Sequence, residues 1–296
     1  MAISIEEVKM IQGRLYKPEN DELIYHYCDP NAFANIMQSR TMWHTAFSAL
    51  NDATEREWGL AQFLDVADKQ RGACGAEFID RIIEIVRLAQ GFTVAMISSY
   101  SLNGDLLSQW RAYADDGRGF AIGFAPRELE MPAKPLRVLY DRAAQKRELV
   151  NNIKHAFEVE KRFGFRYDEV FLGHWFGFGL DLSAYKHPSF AEEKEIRRVR
   201  ITGLALNKNE RRMVPLGAID GSGVERSGPV PIHYRVRNGV QVPYVVLDMT
   251  DNGKNAPVKE IILGPKNSDN EENVAAFLIS AGWNGVKVRR SDAPYV

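Results

Sequence analysis

Residues Pro231–Met249 read PIHYRVRNGVQVPYVVLDM. Two β-prone runs lie in this stretch, Pro231–Val236 and Gln241–Met249, adjacent in sequence with no helix-length segment between them. Further strand candidates flank them: Glu193–Ile201 upstream, Val258–Leu263 and Gly285–Arg289 downstream. The amino half adds Leu23–Cys28, Thr41–Thr45, Thr93–Ser101, Gly119–Phe124 and Leu136–Tyr140. Apolar residues at helical spacing predict helices over Ala32–Ser39, Glu55–Gln70, Glu77–Ala89, Ala143–Phe163 and Val170–Leu180. Leu106, Leu107, Trp110 and Tyr113 mark another, and Ser268–Glu271 fits a capping box before a helix ending near Ala281-Gly282. Strands outnumber what a βαβ alternation supplies, so the expected class is α+β: mixed, largely antiparallel sheets flanked by helices.

The chain has 296 residues, with 38 Lys+Arg against 39 Asp+Glu and a net charge of -1. At 45% hydrophobic and 26% charged it lies in the globular range, which excludes disorder, fibrous repeats and a general polyanion binder. Cys28 and Cys74 form no CxxC pair, so neither a zinc ribbon nor a disulfide scaffold is expected. The opening MAISIEEVKM carries acids where a signal peptide needs basic and apolar residues. No run approaches the roughly 20 apolar residues of a membrane helix. The expectation is a cytoplasmic protein without a membrane partner. A single domain over 1–296 is expected, with a mobile loop at Gly217–Pro231, which is rich in Gly, Ser and Pro.

The candidate chemistry centres on Glu193–Ile201. Strand alternation puts Glu193, Glu195, Arg197, Val199 and Ile201 on one face, beginning in two carboxylates and an arginine and ending apolar. Such a face suits a strand running from a core into a cleft, where carboxylates hold hydroxyls or stabilise a developing cation. The same pattern suits an edge strand guarded by charges. Asn51 and Asp52 with Glu55 lie between a strand and a helix, where they can bind a ligand or simply cap the helix. Trp110 and Tyr113 suit either core or ligand platform. Ser98, Ser99 and Ser101 lie towards the end of a strand, and His26 faces opposite to Tyr25 and Tyr27. The segment Lys194–Arg212 holds seven basic residues against two acids, a local net of +5, which can meet nucleic acid or a nucleotide's phosphates. P-loop, GxGxxG, HExxH and GxSxG signatures are absent, and the six histidines show no metal-ligand spacing.

Taken in order, these segments resemble the bacterial family called domain of unknown function 2971. The residues that carry the likeness are Tyr25-His26-Tyr27, Phe47 through Asn51-Asp52 and Glu55, and Trp110 through Tyr113-Ala114. Gly119–Phe124, Lys186–Phe190, Glu193–Arg197, Ile261–Gly264 and Ser291–Tyr295 complete them. Ala53 departs from the proline usual after the Asn-Asp pair. More distantly, the layout is similar to that of ADP-ribosyltransferases, with His26 on a first strand, Ser98–Ser101 on a second and Glu193-Lys194-Glu195 on a third.

That resemblance implies an NAD-consuming enzyme, a transferase or glycohydrolase, of the kind used as toxins or phage-defence effectors. NAD would be a substrate and no metal is expected. Glu195, Glu193 and His26 would be catalytic. Glu195 would stabilise the ribosyl cation, Glu193 would activate the acceptor, and His26 would hold the nicotinamide-ribose. Tyr25, Tyr27, Asn51, Asp52, Glu55, Ser99, Trp110, Tyr113 and Arg197 would bind substrate. Two alternatives stand beside it. One is a metal-dependent phosphoester hydrolase using Asp52, Glu55, Glu193 and Glu195. The other is a non-catalytic nucleotide or nucleic-acid sensor built on the 194–212 basic strip.

Overall fold

A computed structural model describes residues 14–49, 53–207, 210–219, 225–237 and 239–295. Strand β1 (Ile24–Cys28) leads into helix α1 (Pro30–Ser39). The Asp29 carboxylate accepts the Ala32 N–H at 2.9 Å to start the helix, and Arg40 at φ 55° ends it. Phe33, Ile36 and Met37 form the buried face that their spacing predicts. There follow β2 (Thr41–Ala46), α2 (Ala53–Lys69), α3 (Arg71–Cys74), α4 (Ala76–Phe92), β3 (Thr93–Ser101), α5 (Leu107–Tyr113), β4 (Phe120–Phe124) and β5 (Lys134–Arg137). Two long helices come next, α6 (Arg142–Phe163) and α7 (Glu169–Asp181). The rest is mostly strand: β6 (Glu195–Asn207), β7 (Glu210–Val214), β8 (Ala218–Ile219), β9 (Glu225–Ser227), β10 (Ile232–Arg237), β11 (Val240–Asp248) and β12 (Val258–Leu263). Helix α8 (Glu271–Ser280) and β13 (Lys287–Arg290) close the described chain.

The expected α+β class is the one observed. Eleven of the described strands join one sheet, antiparallel throughout except where β12 meets β13. The stretch 231–249 forms the β10–β11 hairpin, in register from Ile232↔Val245 to Arg237↔Val240. The feature that positions the site is a fork. Strand β6 follows one edge of β3 from Thr93 to Ser101. The other edge is shared, with β2 pairing at Met96 and Ile97 and β1 at Ser101. One arm then runs β2–β11–β10 and the other β1–β4–β12–β13. Between the arms, Ser98, Ser99 and Tyr100 have no strand partner on that edge among the described residues.

Two apolar cores hold this frame. One packs α1 and α8 against the sheet through Ile24, Met37, Phe124, Ile261 and Leu278. The other joins α2, α4, α6 and α7 through Phe63, Phe78, Ile82, Ile153 and Trp175. Among the described residues no helix is long and apolar enough to cross a membrane.

Several expectations need correction. Glu193 closes a 3-10 turn (Pro188–Glu193), and Lys194 at φ 45° separates it from β6, so Glu193 is not on the strand. The cap of α8 is Asn270, whose side chain accepts the Asn273 N–H at 2.7 Å, not Ser268. β5 starts and ends earlier than predicted, because Leu139 turns away to bridge Tyr185. Within 217–231, β8 and β9 pair as a small second sheet, while 220–224 lie outside the described residues.

Candidate functional site

Where the two arms diverge, a cleft of about 500 Å³ opens. Its walls come from β1, α1, β2, β3, α5, β10 and the approach to β6. It is large enough for a nucleotide-sized ligand, since small-molecule pockets run from about 300 to 1,000 Å³.

Its floor at the β6 end is a quartet of buried charges. Arg197, 1% exposed, forks onto Glu195, with Nε to Oε1 at 2.8 Å and Nη2 to Oε2 at 2.8 Å. Lys186 donates to Glu193 at 2.5 Å and reaches Glu195 at 3.4 Å. The left-handed turn at Lys194 makes this convergence possible, because a continuous strand would not bend Glu193 back over Lys186. The backbone anchors both acids: Ser101 Oγ donates to the Glu193 carbonyl at 2.7 Å, and Tyr140 Oη accepts the Glu195 N–H at 3.0 Å. Burial alone raises the Glu195 carboxyl, but the Arg197 and Lys186 charges and hydrogen bonds from Arg197 and Ser99 outweigh it and hold the pKa at about 2. Glu195 is therefore an anion at every working pH. Further along the same face, Val199 packs with Ile97 and Leu136, so of the two arrangements its pattern suits the strand takes the one that runs from core into cleft.

His26 approaches from the other arm. Its Nδ1 lies 2.9 Å from the Ser99 carbonyl, one of the residues left without a strand partner at the fork. A carbonyl only accepts, so Nδ1 carries the proton and Nε2 keeps a lone pair. Burial lowers the imidazole pKa, which keeps the ring neutral. Tyr113 lines the cleft at 39% exposure and donates to Glu193 at 3.3 Å.

The remaining predicted residues divide. Tyr25 and Tyr27 border the cleft, but their hydroxyls are committed to Glu260 at 3.0 Å and the Asn103 carbonyl at 2.9 Å. The Tyr25 ring occupies space that a Cβ on Gly104 would invade. Trp110 is a correction. It is wholly buried, donates to Asp105 at 2.7 Å and packs edge-on to Tyr27, so it supports the wall and does not line the cleft. Asn51 and Asp52 lie outside the described residues, and Glu55 falls in α2.

The basic strip 194–212 is divided: Lys194 and Arg212 are exposed, while its three β6 arginines are not. Arg197, Arg198 and Arg200 are buried at 1%, 6% and 2% exposure. Arg198 donates to the Pro126 carbonyl, and Arg200 to the carbonyls of Pro132, Leu216 and Gly228 and to Ser227 Oγ. Among the described residues no group of three or more His, Cys, Asp or Glu could hold a metal ion. The Glu193–Glu195 pair already faces the Lys186 ammonium, which a hard cation would have to displace.

Sequence reading missed Lys186, Gln109, Trp43, Arg235 and Arg237, all of which line the cleft. Lys186 sits seven residues before Glu193 within a motif already singled out. Arg235 and Arg237 share one face of β10, a signal that alternation could have supplied.

The fold and site define an α+β protein with a forked sheet and a polar, charge-lined cleft at the fork. Residues 109–198 match the model of a family described as protein of unknown function (DUF2971), which is the family the motifs resemble. The matched segment runs from α5 into β6 and carries Lys186, Glu193, Glu195 and Arg197. No curated protein and no solved structure matches the chain.

Proposed function

We propose that the protein consumes NAD at this cleft, as an ADP-ribosyltransferase or NAD glycohydrolase. The observation that carries the reading is convergence: His26 on β1, Ser99 on β3 and Glu195 on β6, far apart in sequence, line one cleft of nucleotide size. In the reaction the ribose C1′–nitrogen bond breaks, and its electron pair leaves with nicotinamide, which departs neutral. The ribose is left as an oxocarbenium ion. Glu195 is ionised and locked by Arg197, so its remaining lone pairs accept from ribose hydroxyls without reorganising. The quartet Lys186, Glu193, Glu195 and Arg197 balances two positive and two negative charges. Glu195 therefore acts more as a fixed acceptor than as a bare anion. His26 Nε2 offers a second acceptor. Glu193 takes the proton that the attacking acceptor or water loses as its bond to C1′ forms.

The test is incubation with labelled NAD, following nicotinamide release and label transfer to added protein, nucleic acid or water. Glu195→Gln is expected to lower turnover at least about 100-fold, the scale of losing one preorganised transition-state contact. Glu193→Gln is expected to reduce transfer more than release. Release without transfer in the wild type defines a glycohydrolase, while absence of both turnover and NAD binding overturns the reading.

A further inference from the structure

The two ends of the cleft differ in how their charges are satisfied. At the β6 end, Lys186 and Arg197 are matched by Glu193 and Glu195. At the far end, on the β2–β11–β10 arm, Arg235 and Arg237 line the same cleft, and neither forms an ion pair among the described residues. Arg235 gives one hydrogen bond, Nη2 to Thr45 Oγ1 at 3.1 Å, and its buried Nε has no partner. A guanidinium has five N–H donors, so most of this one's capacity is unused. Its place is nevertheless fixed. Trp43 and Tyr244 stack with centroids 4.3 Å apart, and Arg235 Cζ lies 5.1 Å from the first ring and 5.8 Å from the second. Trp43 remains 39% exposed at the rim. Burial and the neighbouring Arg237 both disfavour the Arg235 charge, and Asp29, the acid that favours it, is already committed to capping α1. A partly buried guanidinium beside a second, exposed one is stabilised by an oxyanion that can accept several N–H bonds at once.

We propose that this end of the cleft is the diphosphate subsite of the dinucleotide: Arg235 and Arg237 hold the phosphate oxygens, Trp43 flanks the adenosine, and the nicotinamide end lies against Glu195. The assignment rests on the NAD reading above, and it gives the cleft a direction. A ligand spanning it places its anionic middle on the hairpin and its reacting carbon at β6.

The experiment is titration calorimetry with ADP, and separately with nicotinamide, on wild type, Arg237→Ala, Arg235→Ala and Glu195→Gln, each checked by circular dichroism. Arg237→Ala is the cleanest variant, because Arg237 makes no hydrogen bond or ion pair among the described residues whose loss could unfold the hairpin. ADP is expected to bind wild type with an affinity that falls as salt rises. Either arginine variant weakens ADP at least about tenfold, as expected for a charge-assisted contact. Glu195→Gln leaves ADP binding in place, and nicotinamide is indifferent to the arginine changes. Failure of wild type to bind millimolar ADP, or equal binding by the arginine variants, overturns the subsite. If ADP binds through the arginines but NAD is never turned over, the subsite stands and the NAD reading falls. If NAD is turned over with a KM unmoved by Arg237→Ala and Arg235→Ala, the subsite falls and the NAD reading stands.

Discussion

Glu195 has two duties, and separating them takes two kinds of measurement. Its carboxylate is the counter-ion of Arg197 and Lys186, whose side chains are 1% and 3% exposed. Glu195→Gln leaves the buried Arg197 facing an amide while Lys186 keeps Glu193, and an uncompensated buried charge costs about 3 kcal/mol or more. Urea unfolding should therefore show a loss of that order for Glu195→Gln. It should be smaller for the double change Glu195→Gln/Arg197→Met, which removes both ends of the fork. Equal losses in the single and double variants would mean that the pair contributes nothing as a pair. Activity has to be expressed per folded molecule, because a residue that both holds the floor and touches substrate lowers turnover by either route. His26 is simpler. Its donated bond to the Ser99 carbonyl fixes the tautomer, so the ring presents an acceptor to the cleft and not a proton.

At the level of elements, β6 is the strand on which the others depend, since one face carries Glu195 and Arg197 and the other Arg198 and Arg200. Arg200 gathers the carbonyls of Pro132, Leu216 and Gly228 with Ser227 Oγ, fastening the segment that bears β8 and β9 to the sheet. Arg200→Met keeps the length of the side chain but none of the donors. It is expected to cost about 2 kcal/mol, since hydrogen bonds to charged groups contribute about 1.5–3 each and a methionine returns some burial. Limited proteolysis should then cut between Leu216 and Gly228 earlier than in wild type. An unchanged digestion pattern would show that other contacts hold the segment. Much of this architecture was legible beforehand. The apolar spacing of α1 and α4, the run Thr93–Ser101 and the hairpin 231–249 all announce themselves through local periodicity. The Glu195/Arg197/Val199 alternation showed a charged face ending apolar, which suited a cleft and a guarded edge strand alike. The fork was not legible, because it depends on β1 and β2 sharing one edge of β3, a pairing between segments separated by about 50 residues or more. Lys194 hid the true position of Glu193, because a non-glycine residue with positive φ leaves no mark in the sequence. The burial of the strand arginines was hidden for a related reason. Composition reports charge, but only the tertiary fold brings backbone carbonyls to Arg198 and Arg200.

Over the whole molecule, buried ionisable groups tie stability to pH. His44 is fully buried between the Met42 carbonyl and Ser98 Oγ, and burial, with the charges of Arg198 and Arg200, lowers its pKa to about 3. His174, in the helical core, is lowered to about 4 by burial and the neighbouring His155 and Lys134, and His26 is lowered by burial at the fork. Each is neutral in the folded chain at a pH where the unfolded chain, with a histidine pKa near 6.5, takes up a proton. Their contribution is complete above about pH 6.5 and is lost as pH falls towards the folded values, at up to about 1.4 kcal/mol per pH unit for each histidine. Glu195, held at about 2 against an ordinary 4.5, adds its own loss in the same direction below about pH 4.5. Asp181 opposes it, because burial raises its carboxyl and favours the protonated fold at the acid end. Urea unfolding at about pH 7, 6 and 5 should therefore show stability falling across the whole interval, before carboxylates titrate. His44→Gln is the sharpest check, since glutamine can meet Ser98 but cannot take up a proton. Whatever it costs at about pH 7, its stability should fall less steeply between about pH 6 and 5 than that of wild type, by about one proton's worth. Parallel slopes would mean that His44 is protonated in the fold, and the neutral Ser98–His44 contact beside the cleft would have to be redrawn as an ionic one.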